Sequence, residues 1–165
     1  MMLTKETVYT QDLDNKQMKV TRGFDAPVEK VWRAWTESEL LDQWWAPKPW
    51  KANTVSMDFK PGGRWFYFME GPDASRHYCV LDYGAIEPQK WYEGSDAFAD
   101  EKGAINTEFP RMHWHIDFTA NGDTTEVQVQ ITFDKVEDLQ KIVEMGFKGG
   151  FAMGHQNLDE LLATM

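Results

Sequence analysis

The chain has 165 residues, which suits one domain with a sizeable core. It carries 27 acidic and 17 basic residues, for a net charge of −10, and contains no run of five basic residues. Binding to the phosphate backbone of nucleic acids needs clustered Lys and Arg, so we expect no nucleic-acid partner. Eight Trp, ten Phe, five Tyr and nine Met predict a bulky interior. Composition alone leaves open whether that interior is packed or contains a cavity.

The sequence contains no segment typical of membrane insertion or export. Residues 1–12 lack the apolar core of a signal peptide, and no stretch approaches the roughly 18 apolar residues that span a bilayer. A single cysteine, Cys79, excludes an internal disulfide and fits a reducing compartment. We therefore expect a cytoplasmic protein without a membrane partner.

The first third of the chain predicts a strand and two short helices. Residues 1–16 are polar, and we expect them to be a loose lead-in to a single domain over residues 17–165. Apolar and polar residues alternate over 17–25, the period of a half-buried strand. A first helix then has the apolar face Val28, Val31, Trp32 and Trp35. Thr36 and Glu39 form a predicted capping box before a second helix with the face Leu40, Leu41, Trp44 and Trp45.

Residues 53–133 predict about six antiparallel strands. Pro61-Gly62-Gly63 is a turn before an aromatic strand over 64–70, and strands over 77–86 and 89–98 follow. The end of the last strand overlaps a longer, mobile loop that we predict from Asp96 to Phe109. Further on, Asn121-Gly122-Asp123 is typical of a hairpin turn. The two strands that it joins have alternating apolar faces: Met112, Trp114, Ile116 and Phe118, then Val127, Val129, Ile131 and Phe133.

After Asp134 the apolar period becomes helical. A short helix carries Val136, Leu139, Ile142 and Val143, and a long terminal helix carries Phe151, His155, Leu158, Leu161 and Leu162. Strands and helices are therefore segregated along the chain, which predicts an α+β fold instead of a doubly wound sheet.

This order and several local segments resemble the helix-grip (START-like, SRPBCC) superfamily. Within it, the chain resembles the family of proteins similar to the activator of heat shock protein ninety ATPase. The resemblance spans residues 18–164 and depends on these segments: 26–36, 40–47, 61–65, 71–73, 83–88, 122–127 and 154–162. The family usually has a Trp after the glycine of its terminal helix, whereas this chain has His155 after Gly154.

The resemblance implies a curved antiparallel sheet of six to seven strands that wraps around the long C-terminal helix. It also implies a cavity between sheet and helix for an apolar or amphipathic small molecule. We predict that the apolar contacts come from Trp65, Tyr67, Met69, Trp91, Trp114 and Phe151, with His155 as the polar handle. Family members share a scaffold and not a catalytic motif, so the resemblance implies no reaction and no cofactor.

No catalytic motif is present, and we therefore favour binding over catalysis. His113, His115 and Asp117 share one side of a strand, but they alternate with its apolar face, which favours a polar outer surface over a metal site. A cyclase or hydrolase that uses Glu70, Asp82, Glu93 or His155 as acid or base is one alternative. A chaperone-interacting module, which the family name suggests, is another, and a homodimer is left open.

Overall fold

The computed structural model describes residues 6–165, which form one antiparallel sheet and four helices. The strands are β1 Val8–Asp12, β2 Gln17–Phe24, β3 Lys51–Met57, β4 Arg64–Glu70, β5 Arg76–Glu87, β6 Trp91–Ala99, β7 Met112–Asn121 and β8 Thr124–Phe133. The helices are α1 Val28–Thr36, α2 Ser38–Trp44, α3 Val136–Glu144 and α4 Phe147–Thr164. The strand order across the sheet is β1-β2-β8-β7-β6-β5-β4-β3.

The predicted α+β helix-grip fold is confirmed, with eight strands in place of six to seven. The extra strand is β1, which pairs with β2 from Val8 opposite Thr21 to Asp12 opposite Gln17. Residues 8–12 are therefore part of the sheet and not a loose lead-in, while residues 1–5 of that predicted lead-in lie outside the described residues. Most of β1 is exposed, including Val8, so the strand lacks the alternating pattern that reveals a half-buried one.

The core confirms the predicted faces of the last two strands. Met112, Trp114, Ile116 and Phe118 of β7 are buried, and so are Val127, Val129, Ile131 and Phe133 of β8. Helix α1 lies over them, with the Trp32 ring 5.0 Å from the Phe118 ring. The Trp44 indole N–H of α2 donates a hydrogen bond of 2.8 Å to the carbonyl of Ala34. Indole burial with a satisfied N–H fixes the two short helices to each other.

Two local predictions are wrong. The Thr36 hydroxyl donates to the Trp32 carbonyl at 2.8 Å, inside its own helix, and α2 begins after Glu37 without a side-chain cap. The predicted capping box is therefore absent. Strand β6 continues to Ala99, so Asp96 belongs to the sheet and not to a loop.

Polar contacts fix the second half of α4. The Arg22 side chain of β2 is buried and donates two hydrogen bonds to the Asp159 carboxylate, at 2.9 and 2.5 Å. The Asn157 amide donates to the carbonyls of Ala46 and Trp44, at 3.1 and 3.4 Å. Bidentate Arg–carboxylate pairs set orientation as well as distance, so the C-terminal half of the helix has one position on the sheet.

The turn at residues 61–63 requires its glycines. Gly62 has a φ of 83°, and its N–H donates to the carbonyl of Tyr83 at 3.0 Å. The Tyr83 N–H in turn donates to the carbonyl of Gly63 at 2.9 Å. A Cβ on Gly63 would lie 2.0 Å from the carbonyl oxygen of Asp58, a distance that no packed side chain can adopt. The turn is therefore hydrogen-bonded to β5, and it packs closely against Asp58, the residue that follows β3.

Gly63→Ala should lower the free energy of unfolding by about 2 kcal/mol or more, because the new Cβ must push a backbone carbonyl aside. Gly84→Ala is the matched control, since its Cβ would meet Glu93 at an ordinary 3.5 Å. Urea unfolding of both variants checks the expectation. Equal stability of the two variants would contradict the close packing at Gly63.

No helix within residues 6–165 has the length and apolar character needed to cross a bilayer.

Candidate functional site

A cavity of about 320 Å³ lies between the sheet and the N-terminal half of α4. Strands β4 to β7, the end of α3 and the segment after α2 also contribute to its wall. The residues that line it are Trp45, Pro47, Trp50, Tyr67, Met69, His77, Cys79, Asp96, Ala97, Phe98, Pro110, Met112, Trp114, Ile142, Met145, Gly146, Phe147, Gly150 and Phe151. Tyr67, Met112 and Trp114 are buried, whereas His77, Met145 and Gly146 are exposed and mark the mouth.

The sequence of α4 explains why the cavity forms at this end. The second half of the helix presents Leu158, Leu161 and Leu162 to the core, and all three are buried. The first half contains Gly149 and Gly150, and Gly150 faces the segment after α2 with no side chain to fill the gap. The sheet under this half of α4 is therefore left uncovered.

Three aromatic rings form the inner wall of the cavity. Trp45, Trp114 and Phe151 lie with ring centres 5.8 to 6.1 Å apart, mostly edge to face. The Trp45 indole N–H also donates to the Tyr67 hydroxyl at 2.9 Å. Such contacts restrain each ring from several directions, so the wall is formed before any ligand arrives.

Asp96 of β6 is the acidic side chain in this wall. One carboxylate oxygen accepts the Met112 N–H at 3.0 Å, and the other accepts the Trp114 indole N–H at 3.1 Å. Burial among apolar groups raises the pKa of Asp96 to about 7, although these two hydrogen bonds and the charge of Arg111 act in the opposite direction. Within residues 6–165, no Lys, Arg or His forms an ion pair with this carboxylate.

Two further titratable groups, Tyr67 and Cys79, line the same cavity as Asp96, and both stay neutral near neutral pH. Burial raises the pKa of the Tyr67 hydroxyl well above its ordinary value. Burial also raises the pKa of the Cys79 thiol to about 12, which leaves it protonated and a poor nucleophile. Inside the cavity, the Tyr67 hydroxyl and the Cys79 thiol are therefore weak hydrogen-bonding partners, and the Asp96 carboxyl is the strong one.

Residues 25–163 match the family described as Activator of Hsp90 ATPase homolog 1-like protein. The chain belongs to this family. The resemblance inferred from the sequence is thus confirmed, and so is the helix-grip architecture. No curated protein matches the chain.

Solved structures with the same fold cover nearly the whole of this family member. A protein from Arthrobacter aurescens is 29% identical, with a TM-score of 0.90, over 96% of this chain and 92% of its own. Protein Ms6760 from Mycobacterium smegmatis is 30% identical, with a TM-score of 0.87, over 95% and 96%. A protein from Staphylococcus epidermidis is 27% identical, with a TM-score of 0.84, over 95% and 94%. These likenesses support fold and family and name no ligand.

Four of the seven residues predicted to contact a ligand line the cavity of this family member: Tyr67, Met69, Trp114 and Phe151. Trp65 does not, because it lies behind Tyr67, with the two rings stacked at 4.0 Å and its N–H donated to Thr54 at 3.0 Å. Trp91 lies on the outer face of the sheet and stacks on His115 at 5.2 Å. Its predicted place in the cavity is wrong, since the neighbouring Tyr92 occupies the inner face.

His155 is not the polar handle that we expected. It lies behind Phe151, with ring centres 4.4 Å apart, and its Nδ1 shares a hydrogen bond of 2.9 Å with the Thr7 hydroxyl. The side chain is almost fully buried, at 1% exposure, and does not line the cavity. Burial, with a smaller effect from the charge of Arg22, lowers the pKa of His155 to about 3. The ring is therefore a neutral part of the core.

The carboxylates proposed as acid or base also lie outside the cavity. Glu70 pairs with Arg76 at 2.9 Å, and Asp82 pairs with Arg64 and Arg111 at 2.5 and 2.8 Å. Glu93 lies 3.8 Å from His115 on the outer face. That prediction is wrong for all three, because their strands turn these positions away from α4.

The outer face also contains the histidine pattern of β7. His113 bonds to Ser95 and Asp134, and His115 bonds to Asp117, which agrees with a polar outer surface. In the described part of the chain, no group of three His, Cys, Asp or Glu residues is arranged to hold a metal.

Sequence reasoning missed Asp96, the strongest polar feature of the cavity. Its signal was present: Tyr92, Gly94 and Asp96 share one side of β6 by the period of two, and Tyr92 is a core residue. Assigning Asp96 to a loop removed it from that pattern. Trp45 was predicted only as part of a helix face, and Trp50, Met112 and Phe147 were not predicted as ligand contacts.

The low pKa of His155 should make the fold less stable in acid. The unfolded chain protonates this residue near pH 6.5 and the folded chain only near pH 3, so the contribution of His155 to stability falls as the pH is lowered through that window. Relative to His155→Gln, the wild type should lose up to about 1.4 kcal/mol per pH unit there. Urea unfolding of both proteins between about pH 3 and pH 6.5 measures this loss of stability. His113→Gln, on the outer face, is the control, and parallel curves for wild type and His155→Gln would contradict the expectation.

Asp96 should have the opposite effect. Its pKa is near 7 in the folded chain and 3.8 in the unfolded chain, so the folded state holds an extra proton between these values and the contribution of Asp96 to stability falls as the pH rises. Asp96→Asn should remove this slope, whereas Asp117→Asn on the outer face should keep it. Urea unfolding gives the slopes, and carboxyl NMR titration gives the midpoint. A midpoint near 4 would contradict the burial of Asp96.

Proposed function

We propose that this chain binds a small apolar or aromatic molecule in the cavity between the sheet and α4. The observation that carries the proposal is the preformed apolar cavity itself. Its volume of about 320 Å³ is at the lower end of the range of roughly 300–1,000 Å³ for small-molecule sites. Its mouth is exposed at His77 and Met145, which gives a ligand a way in.

The character of the lining supports an apolar or aromatic ligand. Trp45, Trp114 and Phe151 offer rigid ring faces and edges on the inner side. Met69, Met112 and Met145 lie around them, and methionine side chains adapt to ligands of different outline at small energetic cost. A rigid wall combined with adaptable side chains is suited to binding a class of related molecules.

Binding is better supported than the two alternatives. The carboxylates considered as acid or base point away from the cavity and Cys79 is kept protonated, which leaves Asp96 as the one carboxyl group among the described residues that line it. The chaperone role is suggested by the family name alone. The cytoplasmic location stays a prediction, as does a homodimer.

Filling the cavity from α4 should abolish binding. Gly150→Leu places a side chain in the cavity, whereas Gly149→Leu, one residue earlier, points to open space. Both changes replace a helical glycine, so neither should destabilise α4. The probe is N-phenylnaphthylamine, a neutral aromatic fluorophore whose emission rises in apolar surroundings.

The wild type and Gly149→Leu should bind the probe saturably at one site, and Gly150→Leu should bind it at least about tenfold more weakly. Fluorescence titration gives the affinities, and thermal unfolding confirms that all three proteins are folded. Absence of saturable binding to the wild type would contradict the proposal, and so would equal affinity of the two variants.

A further inference from the structure

We infer that the cavity selects ligands that carry a protonated amine, held by the Asp96 carboxylate beside the aromatic wall. This inference rests on the proposed function and names the chemical class of its ligand. It begins from the charge of the lining. Among the residues 6–165 that line the cavity, Asp96 is the only Asp or Glu, and none is Lys or Arg. Apart from the neutral Tyr67 and Cys79 and from His77 at the exposed mouth, the one ionisable group of the lining is therefore acidic.

The Asp96 carboxylate retains hydrogen-bonding capacity toward the cavity. Each of its oxygens accepts one bond from the protein, from the Met112 N–H and from the Trp114 indole N–H. A carboxylate oxygen has two acceptor positions, so one position on each remains for a ligand. The side chain is partly accessible, and it lines the cavity instead of being sealed in the core. An ammonium group, with three donors, fits these remaining positions.

The charges around Asp96 favour a cationic ligand. Arg111 is the nearby cation, but its guanidinium donates to the Asp82 carboxylate at 2.8 Å and to the backbone carbonyl of Asp96 at 3.1 Å. Tyr67 and Cys79 face the carboxylate from β4 and β5 and are neutral. His77 lies at the exposed mouth. A carboxylate that is partly buried among apolar groups and lacks a paired cation is unfavourable, and a bound ammonium would supply the missing charge.

The aromatic wall strengthens the same preference. Trp114 places its ring next to the carboxylate, because its own N–H bonds to Asp96. The ring centres of Trp45 and Phe151 lie 6.1 and 5.8 Å from the ring centre of Trp114. Ring faces attract cations, most strongly when water is excluded, so the wall and the carboxylate act on the same group. The net charge of −10 also raises the local concentration of cations.

A matched pair of probes tests the inference. Naphthylmethylamine and naphthylmethanol share the same ring system and differ only in an ammonium or a hydroxyl group. At about pH 8 the Asp96 carboxyl is ionised and the amine is protonated. Isothermal titration should show that the wild type binds the amine at least about tenfold more tightly than the alcohol. Asp96→Asn should lose this preference, and Asp117→Asn, on the outer face, should keep it.

A second readout uses the wild type alone and so does not depend on the folding of a variant. Near pH 6.5 much of Asp96 is protonated, and an incoming ammonium displaces that proton. Titrations in two buffers with different ionisation enthalpies should therefore detect proton release with the amine and none with the alcohol.

Failure of this inference is distinct from failure of the proposed function. Equal affinity for the two probes, or amine binding without proton release, overturns the amine class and leaves apolar binding standing. Binding of neither probe, together with no binding of N-phenylnaphthylamine, overturns both. A preference for the amine that survives in Asp96→Asn assigns the selectivity to another group and overturns the role of Asp96.

Discussion

The core under α1 and the cavity both depend on the packing of one side chain, Phe151. On one side the ring packs on Trp35 and His155, at 6.4 and 4.4 Å, and closes the core under α1. On the other side it lies against Trp45 and Trp114 and forms the inner wall of the cavity. The helix is fixed beyond this point by Asp159 and Asn157, so the ring cannot slide along the sheet. One side chain thus divides the space between sheet and helix into a filled part and an open part.

The buried polar groups follow the same division. In the filled part, the charge of Arg22 is balanced by Asp159, and His155 avoids a charge by staying neutral. In the open part, Asp96 has hydrogen-bond donors but no bonded cation within the described chain. A fold that needed Asp96 only for packing would be served as well by an uncharged residue, because burying a carboxyl costs stability. This difference in compensation is what directs the functional proposal to Asp96.

The buried faces could be predicted from the sequence where one face of an element is buried and the other is exposed to solvent. The faces of β7 and β8 follow from alternation alone, as does the burial of Val31, Trp32 and Trp35 in α1. Strand β1 has no such contrast, since it is a mostly exposed edge. For Asp96, residue type and period were visible, but its partner Trp114 is eighteen residues away and is brought close only by the pairing of β6 with β7. The depths of Trp65 and His155 depend on three-dimensional packing, which a one-dimensional period does not encode.

The burial of Asp96 links stability to recognition through one proton. In the free protein the raised pKa means that the carboxyl is often neutral near pH 7, when it can donate as well as accept a hydrogen bond. A cationic ligand would favour the ionised form and lower that pKa, so proton release and binding would be the same event. The unfavourable energy of the buried charge would then be relieved only by a ligand with the complementary charge. A neutral apolar molecule would gain the contacts of the wall and leave this energy untouched, and the carboxyl would therefore distinguish ligands that the rings alone cannot.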